Sequence, residues 1–391
     1  MGKSTDTVTW SSLRYQRKTK HFTEGGVVEL RRRLDKGNRV LSLVAVALLL
    51  LAVPIYAQRL DQLDYIIGGG TLDVTFTHFT VGQYLGFYEE EGIDLAFATS
   101  DGAVAAIQAL AAGHYEIGST LRPPILLSHA DGVDLGLVSI YTYVRNHFYL
   151  VAVAPNSPIR SIADLQGKVV GAPSMGAAAI PYLQGVLREV GVDPATVTFL
   201  PVGFGVSFAE ALYRGQVDAL VAWETIFASL ETQGYEFRYL EFPERYATMS
   251  GPQVSVRRDM LERNRDKYVR FLRGLLKSTL FALHNPEAAI RIHWHLYPES
   301  RPWGMSEDEA LRAAMDIQAA RFSRLGILNE PKGTWGMNYA EDWELELEIY
   351  GLVDKISDVS IFFTNDLIAE ANDFDHERII QMAREFRFPG N

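Results

Sequence analysis

The chain has 391 residues, of which 48% are hydrophobic, 22% charged and 11% aromatic, with no cysteine. That length exceeds one ordinary core, so two domains or lobes are expected, and the composition is that of a globular protein rather than a disordered one. The net charge of −11 hides a basic N-terminus, with ten Lys or Arg against four Asp or Glu over residues 1–57. The acidic body that follows argues against nucleic-acid binding, and the lack of cysteine excludes disulfides and thiol catalysis.

Arg31, Arg32, Arg33, Lys36 and Arg39 precede an apolar run from Val40 to Ile55, which ends at the small residue Ala57. This order of charge, apolar core and small residue reads as a cleaved secretory signal, and it predicts a periplasmic location. Because the run contains Pro54 and is shorter than the roughly 20 residues of a spanning helix, an uncleaved anchor is the second reading.

From Thr71 strands and helices alternate. Leu72, Val74 and Phe76 predict a strand, Gly82 to Glu91 a short helix, and Ile93, Leu95 and Phe97 a second strand. A helix from Asp101-Gly102 closes at Gly113 before a strand at Tyr115–Gly118, and Pro124–His129 is a short helix. Strands are predicted at Leu135–Tyr143 and His147–Val153. Ser161 can cap a turn over Ile162–Leu165, which Gly167 stops, and Lys168–Ala172 is the strand that follows. The small-residue turn after it hands over to a helix over Ala178–Val190, whose first N–H groups lack partners and can face a ligand, although an ordinary βα turn is built alike. Thr196–Pro201 and Val217–Trp223 are strands around a helix at Phe208–Tyr213. Beyond Trp223 the chain is mostly helical: Arg257–Leu283, Pro286–Trp294, Ser306–Leu325, Glu341–Gly351, Asp366–Glu370 and Asp375–Phe386.

The segment Ala109–Glu116 (ALAAGHYE) echoes Ala211–Asp218 (ALYRGQVD), each a helix stopping on glycine with an acid opening the next strand. Two lobes of similar build are implied, with residues 58–153 plus 250–391 in one and 154–249 in the other. A ligand would lie between facing strand ends.

Four ordered segments resemble one family. Thr80–Leu95 (TVGQYLGFYEEEGIDL) is similar to the "GYFKKEGLDV" stretch of ABC-importer solute-binding proteins for sulfonates, taurine, nitrate and pyrimidine precursors. Ala109–Gly118, Ser161–Gly171 and Gly215–Glu224 match its further motifs in order. The resemblance implies a type II periplasmic-binding-protein fold, two α/β lobes joined by a two-strand hinge near Val153–Asn156 and Thr248–Gln253, closing on a solute.

Carried over by position, the family's site falls on Phe76, His78 and Phe79, on Ser119 and Thr120, and on Tyr141 and Tyr143. It continues with Ser174, Met175, Gly176 and Ala177, then Phe204, Trp223 and Glu224. Phe76 and Tyr141 are equally readable as core, and His78 as a loop histidine. No arginine or lysine falls among these positions, so Glu224 is expected to favour amino or ring N–H donors. A planar nitrogenous or aromatic solute follows, with a pyrimidine precursor first and an aliphatic sulfonate, taurine or nitrate second. The implied partners are an ABC permease and its ATPase; a monomer without cofactor or metal is expected. The thiamin-pyrimidine synthases of the same fold carry a lysine for pyridoxal phosphate and a cysteine-rich motif. Ser119-Thr120-Leu121 stands where that lysine would be, so an enzyme is not expected.

Overall fold

The computed structural model describes residues 60–69, 72–246, 249–327 and 330–389. The expected signal segment lies outside them. Among the described residues no helix is long and apolar enough to cross a membrane.

The first sheet is built from β1 (Asp61–Ile67), β2 (Ile93–Thr99), β3 (Ile117–Thr120), β4 (Leu137–Thr142) and β10 (Gln253–Arg257), in the order β2-β1-β3-β10-β4. β1 runs parallel to β2 and β3, whereas β10 is antiparallel to β3 and β4. The second sheet repeats the plan with β5 (Tyr149–Val153), β6 (Val169–Ala172), β7 (Thr198–Pro201), β8 (Ala219–Trp223) and β9 (Arg238–Tyr239), ordered β7-β6-β8-β5-β9. Here β6, β7 and β8 are parallel, and β5 is the antiparallel strand. Each sheet therefore holds one antiparallel strand that arrives directly from the other sheet. This is the type II periplasmic-binding-protein arrangement of two α/β lobes.

The helices of the first lobe are α1 (Thr77–Leu85), α2 (Phe87–Glu90), α3 (Ala103–Ala111) and α4 (Arg122–Ala130). Those of the second are α5 (Ala179–Glu189), α6 (Val206–Tyr213) and α7 (Glu224–Glu231). The sequence echo is structural. In α3 and α6 alike the chain leaves the helix through a left-handed glycine, Gly113 at φ 78° and Gly215 at φ 68°. His114 and Gln216 then donate back to the carbonyls of Ala109 and Ala211. The acid of the second copy, Asp218, accepts from the Val169 N–H at 2.8 Å and so ties β8 to β6.

Three expectations need correction. The strand predicted over Leu72–Phe76 is a 3-10 turn, Val74–Phe76, because the Asp73 carboxylate accepts from the Thr75 N–H at 2.9 Å and caps it. The true first strand is β1, upstream. The long helix expected from Arg257 is broken up: Arg257 closes β10 between β3 and β4, Arg258–Leu261 is a separate turn of helix, and the long helix begins at Arg265. The hinge also shifts. β5 belongs to the second sheet, so the chain crosses over residues 143–148, one strand earlier than Val153–Asn156, and returns over residues 240–252; Thr248 lies outside the described residues.

The C-terminal helices are α8 (Arg258–Leu261), α9 (Arg265–His284), α10 (Pro286–Leu296), α11 (Glu307–Leu325), α12 (Ala340–Tyr350), α13 (Ile368–Ala371) and α14 (His376–Glu385). α9 and α10 cover α1 on the first lobe. Two others bridge the lobes: α11 packs on α7 as well as on α10, and α12 packs on α5 as well as on α4. α11 opens with the expected capping box, Ser306 and Glu309 each bonding the other's backbone N–H.

Candidate functional site: the interlobe cavity

The carboxyl ends of β1, β3 and β8 and the turns after β6 and β7 face one cavity of about 320 Å³. Ser119, Thr120 and Leu121 come from the end of β3, and Tyr143 from the first crossing. Phe148 and Tyr149, at the entry to β5, form the wall between the lobes. The second lobe adds Ser174, Ala177 and Ala178 from the turn into α5, Phe204 from the β7–α6 loop, and Trp223 from the end of β8. Ala178 offers α5 no side-chain cap, but little of its first turn is left for a ligand: the Ile180 and Tyr182 N–H groups donate to the carbonyls of Ala177 and Ala178, and Pro181 has none.

The walls are aromatic. Phe204 and Trp223 lie 6.1 Å apart, Phe148 and Tyr149 4.1 Å, and His78 and Tyr143 5.6 Å. Polar groups are threaded between them. Ser119 Oγ bridges the hydroxyls of Tyr65 at 2.8 Å and Tyr143 at 2.9 Å, and Thr120 shares a 2.6 Å bond with Ser255. Burial raises the Tyr143 hydroxyl above its usual titration range, so it stays protonated near neutral pH.

Of the expected contacts, Phe76, His78, Ser119, Thr120 and Tyr143 line the cavity from one lobe, and Ser174, Ala177, Phe204 and Trp223 from the other. Five do not. Phe79 is buried against Tyr65, at 5.2 Å. Tyr141 is buried against Gly336 and does not line the cavity. Met175 is 58% exposed, and Gly176 beside it is off the wall. Glu224 is buried behind the wall and pairs with Arg321, its Oε1 2.8 Å from the guanidinium Nε.

This pair corrects the expected electrostatics. A cation does reach the cavity: Arg321, from α11, lines it and neutralises the carboxylate expected to face the ligand. Burial raises the Glu224 carboxyl above the usual range, against the opposing pull of Arg321. His78 is pushed down to about 3, first by burial and then by Arg321, so its imidazole is neutral near neutral pH. Sequence reasoning missed Arg321 because it lies on a helix far downstream of every motif. That Gln318 and Arg321, polar residues one turn apart, are both buried emerges only from the fold. Asp73, Phe148, Tyr149 and Thr225 were missed as well.

Fold and cavity together define the class, a two-lobed protein of the type II periplasmic-binding-protein fold with a solute-sized cavity between its lobes. The chain belongs to the NMT1/THI5 like family, whose profile matches residues 73–289. It is 25% identical to a formylaminopyrimidine-binding protein of Halalkalibacterium halodurans, across 66% of this chain and 76% of that one. It is 22% identical to the riboflavin-binding protein RibY of Chloroflexus aurantiacus, across 76% and 83%. The crystal structure of the periplasmic aliphatic sulphonate binding protein SsuA of Escherichia coli shares the fold, with a TM-score of 0.57 at 19% identity across 75% of this chain and 92% of that one.

Proposed function

We propose that this protein is secreted to the periplasm, captures a planar nitrogenous or aromatic solute between its lobes, and delivers it as a monomer to an ABC permease driven by a cytoplasmic ATPase. The observation that carries this reading is the aromatic lining of the interlobe cavity by Phe76, Tyr143, Phe148, Tyr149, Phe204 and Trp223. A volume of about 320 Å³ equals the liquid share of roughly ten waters, more than a bare six-membered ring occupies. A substituted pyrimidine or a fused-ring solute suits it, in keeping with the pyrimidine and flavin ligands that two relatives are named for. Arg321 on the wall favours a second reading, an aliphatic sulfonate. Against a pyrimidine synthase-like enzyme stand the chain's lack of cysteine and, among the described residues, a cavity wall without lysine.

The test is a thermal-shift and calorimetric screen of the full-length chain against formylaminopyrimidine, riboflavin, aromatic acids, aliphatic sulfonates, taurine and nitrate. A solute present at a hundred times its Kd adds about 2.7 kcal/mol, enough to raise the melting point by several degrees. The expected outcome is a shift with a pyrimidine or flavin. A shift confined to sulfonates would replace the ligand class, and none with any member would remove this reading.

A further inference from the structure

Two buried polar side chains face the cavity without a satisfied hydrogen bond. Neither ring nitrogen of His78, 1% exposed, makes a well-formed bond to the protein. Arg321, 8% exposed, is paired in charge with Glu224, its Nε 2.8 Å from Oε1, yet neither that buried N–H nor either carboxylate oxygen makes a well-formed hydrogen bond among the described residues. A guanidinium presents its N–H donors as a rigid planar fork, and leaving them unpaired in a dry site is costly. Their geometry is not left to chance. One turn before Arg321, the Gln318 amide donates to Thr77 Oγ1 at 2.7 Å, which fixes α11 against the helix that carries His78.

The charge arithmetic narrows what completes this site. Glu224 cancels the charge of Arg321, so an incoming anion meets little net positive field, while the N–H donors still need an acceptor. A neutral carbonyl satisfies the donors without adding a buried charge. The uncharged imidazole offers one donor and one acceptor to whatever lies beside that carbonyl.

We propose that Arg321 and His78 together select solutes with a carbonyl-type acceptor on a planar ring, the guanidinium fork donating to the acceptor while the imidazole pairs with the neighbouring ring edge. This rests on the cavity being the solute site, as proposed above.

The experiment uses the full chain and four probes: a formylaminopyrimidine, the aminopyrimidine that lacks its formyl group, riboflavin, and benzenesulfonate. Arg321→Met is combined with Glu224→Gln, so that no buried carboxylate is stranded, and the ligand-free melting point checks that the fold survives. Wild type is expected to bind a carbonyl-bearing probe at least tenfold more tightly than the formyl-free pyrimidine. The double variant should lose about 10- to 100-fold for the carbonyl-bearing probe and little for the other. Glu224→Gln alone, which leaves the guanidinium charge uncancelled, should shift preference toward benzenesulfonate. Unchanged carbonyl affinity in the double variant would overturn the inference alone. Tightest wild-type binding of benzenesulfonate would overturn the carbonyl class, and failure of wild type to bind any probe would remove the reading beneath it.

Discussion

His147 packs its ring against Tyr182, Phe242 and Tyr149, and its Nε2 shares a 2.6 Å hydrogen bond with the Tyr182 hydroxyl. Burial, reinforced by Arg324, lowers its pKa to about 3, and His78 and His293 are held at about 3 and about 4 mainly by burial. In the unfolded chain each takes a proton near pH 6.5, so their contribution to stability is complete above that pH and is lost as pH falls toward 4 and 3. Glu224 and Glu346, raised by burial, act oppositely, weakening the fold as pH rises through the carboxylate range. Urea unfolding between pH 5 and 7 should therefore show stability rising with pH. His147→Phe should flatten that slope by up to about 1.4 kcal/mol per pH unit, whatever it costs overall. An unchanged slope would mean that the folded protein already protonates this ring. At the cavity wall, Trp223 is only half-buried and faces Phe204, so Trp223→Ala should spare most of the stability while reducing solute affinity roughly tenfold or more. Calorimetry with the tightest solute from the screen decides it: full affinity in the variant would make the indole a bystander.

Between elements, the seat of α12 on α5 depends on Gly185. A Cβ there would lie 2.2 Å from Ile349 Cγ2 and 2.6 Å from the Ile349 carbonyl oxygen, a backbone atom that cannot rotate away. Alanine would ordinarily stabilise a helix interior by about 1 kcal/mol. Here Gly185→Ala should instead destabilise by about 1–3 kcal/mol, through a forced shift of α12, and urea unfolding reads the sign. A stabilised variant would show that the two helices are seated farther apart. The same contrast between local and tertiary information separates what was legible in the sequence from what was not. The capped turn at Ser161, the strand Val169–Ala172 and the glycine exits of α3 and α6 are written locally, and they stand where expected. β1 was hidden because Asp61, Gln62 and Asp64 put three polar residues into its seven, at a position beside the expected signal segment. β10 was hidden because Gln253 closes the expected hinge segment and Arg257 opens the expected helix, and only its place between β3 and β4 makes it a strand. Motif positions at the strand ends likewise found the aromatic and hydroxyl walls. Arg321 comes from the opposite side of the fold, where no local pattern marks it.

For the whole molecule, two chain crossings and two bridging helices constrain how a solute can enter. α11 grips the first lobe through Gln318–Thr77 and the second through Arg321–Glu224. α12 grips the first through the buried Arg122–Glu346 pair, 2.8 Å apart, and the second through Arg245, which joins Glu348 to Glu189. Arg122 also donates to the backbone and hydroxyl of Ser250 in the return crossing, so the hinge itself is tied to α12 through shared partners. Opening the cavity must therefore either break Arg321–Glu224 or carry α11 along with the second lobe. A solute that touches both lobes stabilises the closed arrangement only by the difference in its affinity for closed and open forms. The natural absence of cysteine makes this measurable, since spin labels attach only where thiols are introduced. Asp101→Cys on the first lobe and Val206→Cys on the second occupy exposed positions flanking the cavity-lining Gly102 and Gly205. Their distance distribution should be longer and broader without solute, and should shorten and sharpen on saturation with the tightest solute of the screen. With Glu224→Gln added, the solute-free distribution should broaden further, because one of the two straps on α11 is weakened. Identical distributions with and without solute would mean a rigid cleft, and capture would then proceed by diffusion into a preformed cavity rather than by closure of the lobes.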